Sequence, residues 1–559
     1  MKRIWLPRYP QGVPFDVDVA AYRSICEVFE MSAAKFGPRS AFVNMGTAIS
    51  YSEMDRLSRD FAAYLQSVLK LPRGARLALM MPNVLQYPIA LFGALRAGYT
   101  AVNCNPLYTA RELQHQLEDS GAEAIVVVEN FAWVVEQVID STKVKHVVVT
   151  GLGDMLRFPT GLMVNSIVKF AKKLVPTWHI PGAVQFKTAL RLGANAPFER
   201  VDVGPEDLAF LQYTGGTTGV PKGAMLSHGN IVANLQQAHA WLRPVLEEGR
   251  EIVITALPLY HIFALTANCM IFLKIGATNV LITNPRDIPG FVKELARHPF
   301  TVITGVNTLF NALLNNPDFV KLDFTPLRVS LGGGMALQKA VAEKWKGVTR
   351  KALIEAYGLT ETSPGVAMNP LDLADYNGSI GLPIPSTEIA IRDEDGHDLA
   401  VGDVGELCVR GPQVMKGYWK QPAETAKVMT RDGFLRTGDL ATVDDAGFVR
   451  IVDRKKDMII VSGFKVFPTE LEDVLAMCPG VVEAGAFGVP DSGSGQAVRV
   501  AVVRKDPTLT AQDVINHCRK HLTGYKIPRH VEFRDELPKS PIGKVLRRVL
   551  AENAEKVTN

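Results

Sequence analysis

Apolar positions along this chain of 559 residues fall into short, almost continuous runs set between stretches of helical periodicity. Arg76-Leu-Ala-Leu-Met-Met81, Ala124-Ile-Val-Val-Val128 and His146-Val-Val-Val-Thr150 are apolar throughout their interiors, as strands buried on both faces are. Leu57 to Leu69 and Pro88 to Ala97 read as helices between them. Strands alternating with helices imply an α/β fold, a large layered domain whose core is a mainly parallel sheet. The greasiest stretch, Val84 to Val102, is interrupted by Gln86, Pro88 and Arg96. It reads as a buried helix, and no run of about 18 apolar residues suggests a membrane span.

Further along, strands deliver small or polar residues at their carboxyl ends, where ligands bind in open α/β sheets. Ile252-Val-Ile-Thr-Ala-Leu-Pro-Leu-Tyr-His261 runs into a turn that presents His261. Val329-Ser-Leu-Gly-Gly-Gly-Met335 ends in Gly332, Gly333 and Gly334, and Ala352 to Thr362 ends in a polar turn. From Gly378 to Gly447 strands shorten and glycines become frequent, which predicts a small β subdomain. The charge run Asp453-Arg-Lys-Lys-Asp457 follows a predicted strand, Gly447 to Val452. About 100 residues remain beyond it, the size of a small domain, and they read as α+β. The expected division is therefore 1–452, a connecting segment 453–457, and 458–559.

Composition narrows the function classes. Apolar residues make up 47% of the chain and the net charge is +4, too weak a balance to argue for nucleic acid. The six cysteines are scattered without a Cys-x-x-Cys pair, which favours a reducing compartment and no structural zinc. The N-terminus lacks the apolar core of a signal peptide.

The stretch carrying most chemistry is Tyr213-Thr-Gly-Gly-Thr-Thr-Gly-Val-Pro-Lys-Gly223. It reads as a loop leading from a strand, Leu208 to Gln212, to a helix start capped near Ser227 or Asn230. Its backbone N–H groups, the hydroxyls of Thr214, Thr217 and Thr218, and the charge of Lys222 suit a polyphosphate. It is not the common P-loop, because Pro221 precedes Lys222 and Gly223 follows it. Alone, it equally suits a surface loop.

Five stretches in this order resemble the adenylate-forming superfamily, which includes acyl-CoA synthetases, peptide-synthetase adenylation domains and firefly luciferase. They are the loop at 213–223, Tyr357-Gly-Leu-Thr-Glu361, Thr437-Gly-Asp439, the run at Asp453-Arg454, and Gly543-Lys544. Met81-Pro-Asn83, Asn105-Pro-Leu-Tyr108 and Thr523-Gly-Tyr-Lys526 look like bacterial long-chain fatty-acid–CoA ligases in particular. The resemblance spans nearly the whole chain.

That resemblance implies ATP, Mg2+ and coenzyme A as cosubstrates and cofactor. A carboxylate attacks the α-phosphate of ATP, giving acyl-AMP and pyrophosphate; the thiol of coenzyme A then displaces AMP. Tyr213, Thr214, Gly215, Gly216, Thr217, Thr218, Gly219 and Lys222 would hold the departing pyrophosphate. Glu361 matches the magnesium ligand, and Thr360 would donate to the α-phosphate. Tyr357 and Gly358 would lie against adenine, beside Gly332, Gly333 and Gly334. Asp439 would accept the ribose hydroxyls, with Arg454 as a second contact. Lys544 would reach from a mobile C-terminal domain to the carboxylate and α-phosphate. Lys456 matches the hinge, and Gly463, in Ser462-Gly-Phe-Lys465, would pass close to the pantetheine arm. His261 matches a position beside the acyl carboxylate and is expected to shape the tunnel, not to transfer protons.

The acyl pocket is less legible. Ile262, Phe263, Leu265, Asn307, Thr308, Leu309 and Phe310 are candidates, but any core uses such residues. Met163 to Val175 has an apolar arc opposed by Lys169, Lys172 and Lys173. It suits either a surface helix packed on the core or peripheral contact with the inner membrane. The reading is an ATP-dependent long-chain fatty-acid–CoA ligase, cytoplasmic, with fatty acid as substrate and no nucleic acid; monomer and homodimer both stay open. A medium-chain or aryl acid–CoA ligase is the alternative. A carrier-protein acyl-AMP ligase fits the Ser462-Gly463 loop less well. A non-catalytic fatty-acid binder leaves Lys222, Glu361, Asp439 and Lys544 without a purpose.

Overall fold

In a computed structural model the structure describes residues 3–214, 221–491, 494–540 and 543–558, with side chains as far as residue 554. A seven-stranded sheet runs in the order Val184–Gln185, His146–Thr150, Ala124–Val128, Arg76–Met80, Thr100–Asn103, Leu208–Tyr213, Gly223–Ser227. A nine-stranded sheet has Leu353–Gly358, Val329–Gly332, Val302–Gly305, Ile252–Thr255, Thr278–Leu281 and Ser40–Asn44 as its middle, paired in parallel throughout.

The continuous apolar runs have a direct cause. Ala124, Val126 and Val128 face the core between the two sheets, while Ile125 and Val127 face the helices on the outer side. The nine-stranded sheet divides likewise: Val253 and Val302 face inward, Ile254 and Ile303 outward. A strand with both faces covered has no position at which a polar residue is cheap. Helix Gln86–Arg96 lies between the layers with every residue buried.

The β subdomain is a four-stranded antiparallel sheet, Glu388–Arg392, Gly405–Arg410, Leu435–Val443 and Val449–Arg454. Its last strand runs further than the expected end at Val452: Asp439 pairs with Arg454 and Leu440 with Asp453. Asp453 and Arg454 thus belong to a strand of the large domain, and the turn follows them. Beyond it stands a small α+β domain. Its sheet contains Ile459–Val461, Phe464–Val466, Val481–Asp491, Gly495–Arg504 and His530–Phe533, and it has a core of its own around Leu471, Val500 and Val514. Among the described residues, no helix is long and apolar enough to cross a membrane.

Two local expectations need correction. The glycine-rich loop does not lead directly to a helix. Gly223–Ser227 is a strand that pairs back antiparallel to Leu208–Tyr213, and only then does helix His228–Leu242 begin. Ser227 caps that helix, and Asn230 completes a capping box with it. The helix expected over Met163–Val175 is a short α-helix, Thr160–Ser166, continued by one wide turn, Ile167–Ala171.

Candidate active site

Two cavities, of about 1020 Å³ and 380 Å³, lie where the large and small domains meet. They share Gly334, Tyr357, Gly358, Arg454 and Lys544 as walls. The carboxyl ends of Leu208–Tyr213, Val329–Gly332 and Leu353–Gly358 open on the larger one, as the sheet architecture favours.

At one end of it stand Tyr213, Thr214, Lys222, Thr360 and Glu361, the residues expected to meet the phosphates. Gly215, Gly216, Thr217, Thr218 and Gly219 lie outside the described residues. Thr214 N–H donates to the carbonyl of Lys222 at 3.0 Å, closing the hairpin. The Tyr213 hydroxyl donates to Asp119 at 2.5 Å. The ammonium of Lys222 pairs with Glu424 and lies 5.0 Å from the ring centre of Tyr418. The Tyr418 hydroxyl donates to Oε1 of Glu361 at 2.7 Å. One carboxylate and one lysine are thus fixed at the same end of the cavity by a single tyrosine. A hard cation fits this donor set, because Glu361 offers a carboxylate beside positions suited to phosphate oxygens.

Among the residues expected to meet the nucleoside, the Tyr357 hydroxyl donates to Oδ2 of Asp439 at 2.5 Å. Arg454 Nε lies 3.1 Å from Oδ1 of the same carboxylate. Burial and the neighbouring Asp439 raise Tyr357 well above its ordinary range, so its proton stays on the phenol. Asp439 opens on the smaller cavity, not the larger one. Gly333 and Gly334 line the larger cavity, while Gly332 lies within its strand and does not. A Cβ at Gly333 would stand 2.9 Å from the carbonyl oxygen of Ala356, and Gly334 has φ +78°, so the backbone here needs glycine.

Lys544 comes from the small domain and lines both cavities. Burial and the nearby Arg454 lower its pKa to about 8, partly opposed by Asp439. Lys456 lines the larger cavity too. Gly463 does not reach either cavity: it sits exposed, with φ +84°, in the hairpin turn joining Ile459–Val461 to Phe464–Val466. His261 lines the larger cavity, and burial lowers its pKa to about 4, so it is neutral near pH 7. Its Nδ1 accepts from the N–H of Phe263 at 3.3 Å.

An apolar arm of the larger cavity runs past Ile262 and Phe263 to Ala238, Leu242, Ile271, Phe272, Val302 and Leu331. Of the sequence candidates for this pocket, Ile262 and Phe263 are in place. Leu265 is buried core, Asn307 and Thr308 line the smaller cavity, and Leu309 and Phe310 line neither. The turn after His261 aims successive side chains apart, so proximity in sequence was a poor guide. Tyr418 and Glu424 escaped sequence reasoning entirely. Gly417-Tyr-Trp-Lys420 carries no chemical signature, and backbone pairing with Gly223 to Met225, including the bridge from Ala224 to Tyr418, brings it to the site. Glu355 and Asp473 escaped it as well. Both line the smaller cavity, one from each domain; burial raises Glu355 to about 8, and burial with Glu472 raises Asp473 to about 7.

The AMP-binding enzyme family matches residues 29–419, and the AMP-binding enzyme C-terminal domain matches residues 470–544. The chain is 57% identical over 560 residues to a long-chain-fatty-acid–CoA ligase of Escherichia coli O157:H7, covering 100% of both chains. It is 36% identical over 552 residues to one of Bacillus subtilis (strain 168), covering 98% of this chain and 97% of that one. Among solved structures, ATP-bound MatB from Rhodopseudomonas palustris superposes with a TM-score of 0.82 at 28% identity, covering 96% of this chain and 100% of that one.

Proposed function

The chain belongs to the AMP-binding enzyme family, and from that premise we infer that it is an ATP-dependent long-chain fatty-acid–CoA ligase, AMP-forming. One observation carries the reading at the level of the site. Lys222, Thr360, Glu361 and Lys544, drawn from distant parts of the chain, converge on one cavity whose far arm is apolar.

In the first half-reaction a carboxylate oxygen attacks the α-phosphorus, the bond to the β-phosphate oxygen breaks, and pyrophosphate leaves. Lys544 lowers the repulsion between the two approaching anions. Thr214 and Lys222 stabilise the charge that grows on the leaving group. Mg2+ bound by Glu361 would supply further charge neutralisation there. Asp439, held by Tyr357 and Arg454, orients the ribose. In the second half the thiol sulfur attacks the acyl carbonyl, the bond to AMP breaks, and the thiol proton passes to solvent. His261, neutral and partly buried, shapes the junction between the acyl arm and the reacting centre. The small domain alternates between the two halves about a hinge at Lys456, which brings Gly463 towards the pantetheine arm.

The apolar arm supports long chains. Each methylene it buries contributes about 0.8 kcal/mol, so preference rises steeply with length until the arm is full. The test is AMP release across a chain-length series of carboxylic acids, with and without coenzyme A. AMP released most readily with aryl or short acids would overturn the long-chain reading.

A second element of the reading is contact with an anionic membrane surface. Phe158 is 83% exposed, Phe170 71% and Leu162 63%, with Met163, Ile167 and Leu174 exposed beside them. Of the helix Thr160–Ser166 only Gly161 is buried; Val164 packs against the core, and the rest of the apolar arc is largely turned outward. No Asp or Glu occurs between Met155 and Phe198, while Arg157, Lys169, Lys172 and Lys173 stand in the same segment. Exposed apolar groups among basic ones suit the boundary between headgroups and acyl chains. Sedimentation with anionic liposomes should be lost in a Phe158→Ser, Phe170→Ser variant whose activity on dissolved substrate is unchanged. Failure of the wild type to sediment at low salt would reject it.

A further inference from the structure

Lys544 must stand at the cavity for the reaction proposed above, yet it belongs to the small domain. Three residues on, Arg547 opens the helix Arg547–Thr558 and makes a dense set of contacts. Its Nε and Nη2 donate to Glu472 at 2.8 and 2.6 Å, and Nη2 donates to Thr469 Oγ1 at 3.0 Å. Its Nη1 donates to Asp453 at 2.9 Å and to Asp457 at 3.4 Å. The Asp453 side chain is only 1% exposed. Its other oxygen accepts the backbone N–H of Thr469 at 2.8 Å.

These partners fall on two sides of the connecting turn. Asp453 is in the last strand of the β subdomain, fixed to the large domain by pairing with Leu440. Thr469, Glu472 and Arg547 all lie beyond the turn, in the small domain, and keep one another's company however that domain is oriented. Among the described residues, Asp453 to Arg547 is the ion pair that joins residues 3–454 to residues 458–554. Beside this pair and the Thr469 N–H that Asp453 also accepts, the cross-domain hydrogen bonds among the described residues are long and neutral: Thr308 to the carbonyl of Gly543 at 3.4 Å and Asn311 to that of Val482 at 3.5 Å.

We propose that Asp453 and Arg547 form a latch that positions Lys544 for acyl-AMP formation and must open for thioester formation. With the latch made, the helix that follows Lys544 is anchored to the large domain and the ammonium is held at the cavity. A buried carboxylate that loses its guanidinium is costly unless it regains solvent, so intermediate placements are disfavoured and the domain has two states. Arg547 and Asp453 line the smaller cavity and not the larger one, where Lys544 faces Thr360 and Glu361. They act through Lys544 and are positioning residues.

This inference rests on the ligase reading, and the two fail differently. Wild type that releases no AMP with fatty acid rejects the ligase. The latch is tested by single-turnover measurement of each half-reaction in Asp453→Asn and Arg547→Gln. Acyl-AMP formation should fall about 10- to 100-fold, in keeping with lost positioning. Conversion of synthetic acyl-AMP and coenzyme A should hold its rate or rise. Because Arg547→Gln also breaks contacts within the small domain, Asp453→Asn is the deciding variant, and its melting temperature is measured alongside. Trypsin cleavage at Lys455 and Lys456, which needs no substrate, should quicken in it. Equal loss in both halves, or neither half affected with cleavage unchanged, would overturn the latch.

Discussion

The Tyr418 hydroxyl and the Glu361 carboxylate are joined by a 2.7 Å hydrogen bond, and the same tyrosine ring underlies the Lys222 ammonium. Tyr418 therefore sets the direction of the proposed magnesium ligand. Tyr418→Phe keeps the ring and removes the donor. The Mg2+ concentration giving half-maximal acyl-AMP formation should rise about tenfold, the low end for lost partners of a metal ligand. Glu361→Ala should cut that half-reaction about a hundredfold or more. Magnesium dependence identical to wild type in both variants would remove Glu361 from the metal.

Asp439 already has Tyr357 and Arg454 on its two oxygens, so it is oriented before nucleotide arrives. Asp439→Ala should weaken ATP binding by about 2 kcal/mol, the scale of hydrogen bonds to a charged group, or roughly thirtyfold. Comparison with dideoxy-ATP is decisive. Wild type should discriminate strongly against the analogue and the variant should not. Discrimination that survives the substitution would place the ribose elsewhere.

Motifs with a chemical reason for their residue types were readable from the chain: the loop ending at Lys222, Tyr357 to Glu361, and Thr437 to Asp439. The strands were readable too, because burial on both faces forbids polar residues in them. What escaped depends on distance in sequence. Tyr418 reaches Glu361 although the two stand 57 positions apart, and Glu355 meets Asp473 only because two domains close on one cavity. The apolar arm was illegible for a different reason. Leu242 and Phe272 lining a tunnel look no different, as letters, from Leu265 packed in the core.

Glu355 should make stability depend on pH. Its carboxyl is raised from 4.5 to about 8, mainly by burial, and it accepts the N–H of Leu337 at 3.3 Å, with Asp473 and Tyr376 facing it. Between those two values the folded chain holds a proton that the unfolded chain releases. Stability from this group is therefore full below about pH 4.5 and is lost as pH rises towards 8. Glu355→Gln keeps the acceptor and removes the proton. Melting temperatures of the variant should exceed wild type at pH 8 and match it near pH 5. Parallel curves for the two proteins would show that Glu355 is ionised in the folded state.

Lys544 should matter for one half-reaction and carry its own pH signature. It stands beyond the turn at 455–457 and lines the cavity only while the small domain is placed as here. Lys544→Ala removes a charge and a positioning group together, so acyl-AMP formation should fall by several orders of magnitude. With synthetic acyl-AMP and coenzyme A the same variant should work at near the wild-type rate, because the lysine is carried away in that half. Its ammonium has a pKa lowered to about 8, chiefly by burial. The charged form is thus present below pH 8 and lost above it in the free enzyme. Since kcat/KM reports groups of the free enzyme, adenylation kcat/KM should decline above about pH 8. Lys544→Arg cannot deprotonate in that range; it should be slower at every pH and show no such decline. An alkaline limb that persists in the arginine variant would assign the titration to another group, and equal damage to both half-reactions in Lys544→Ala would place this lysine in the fold of the small domain and not in the chemistry.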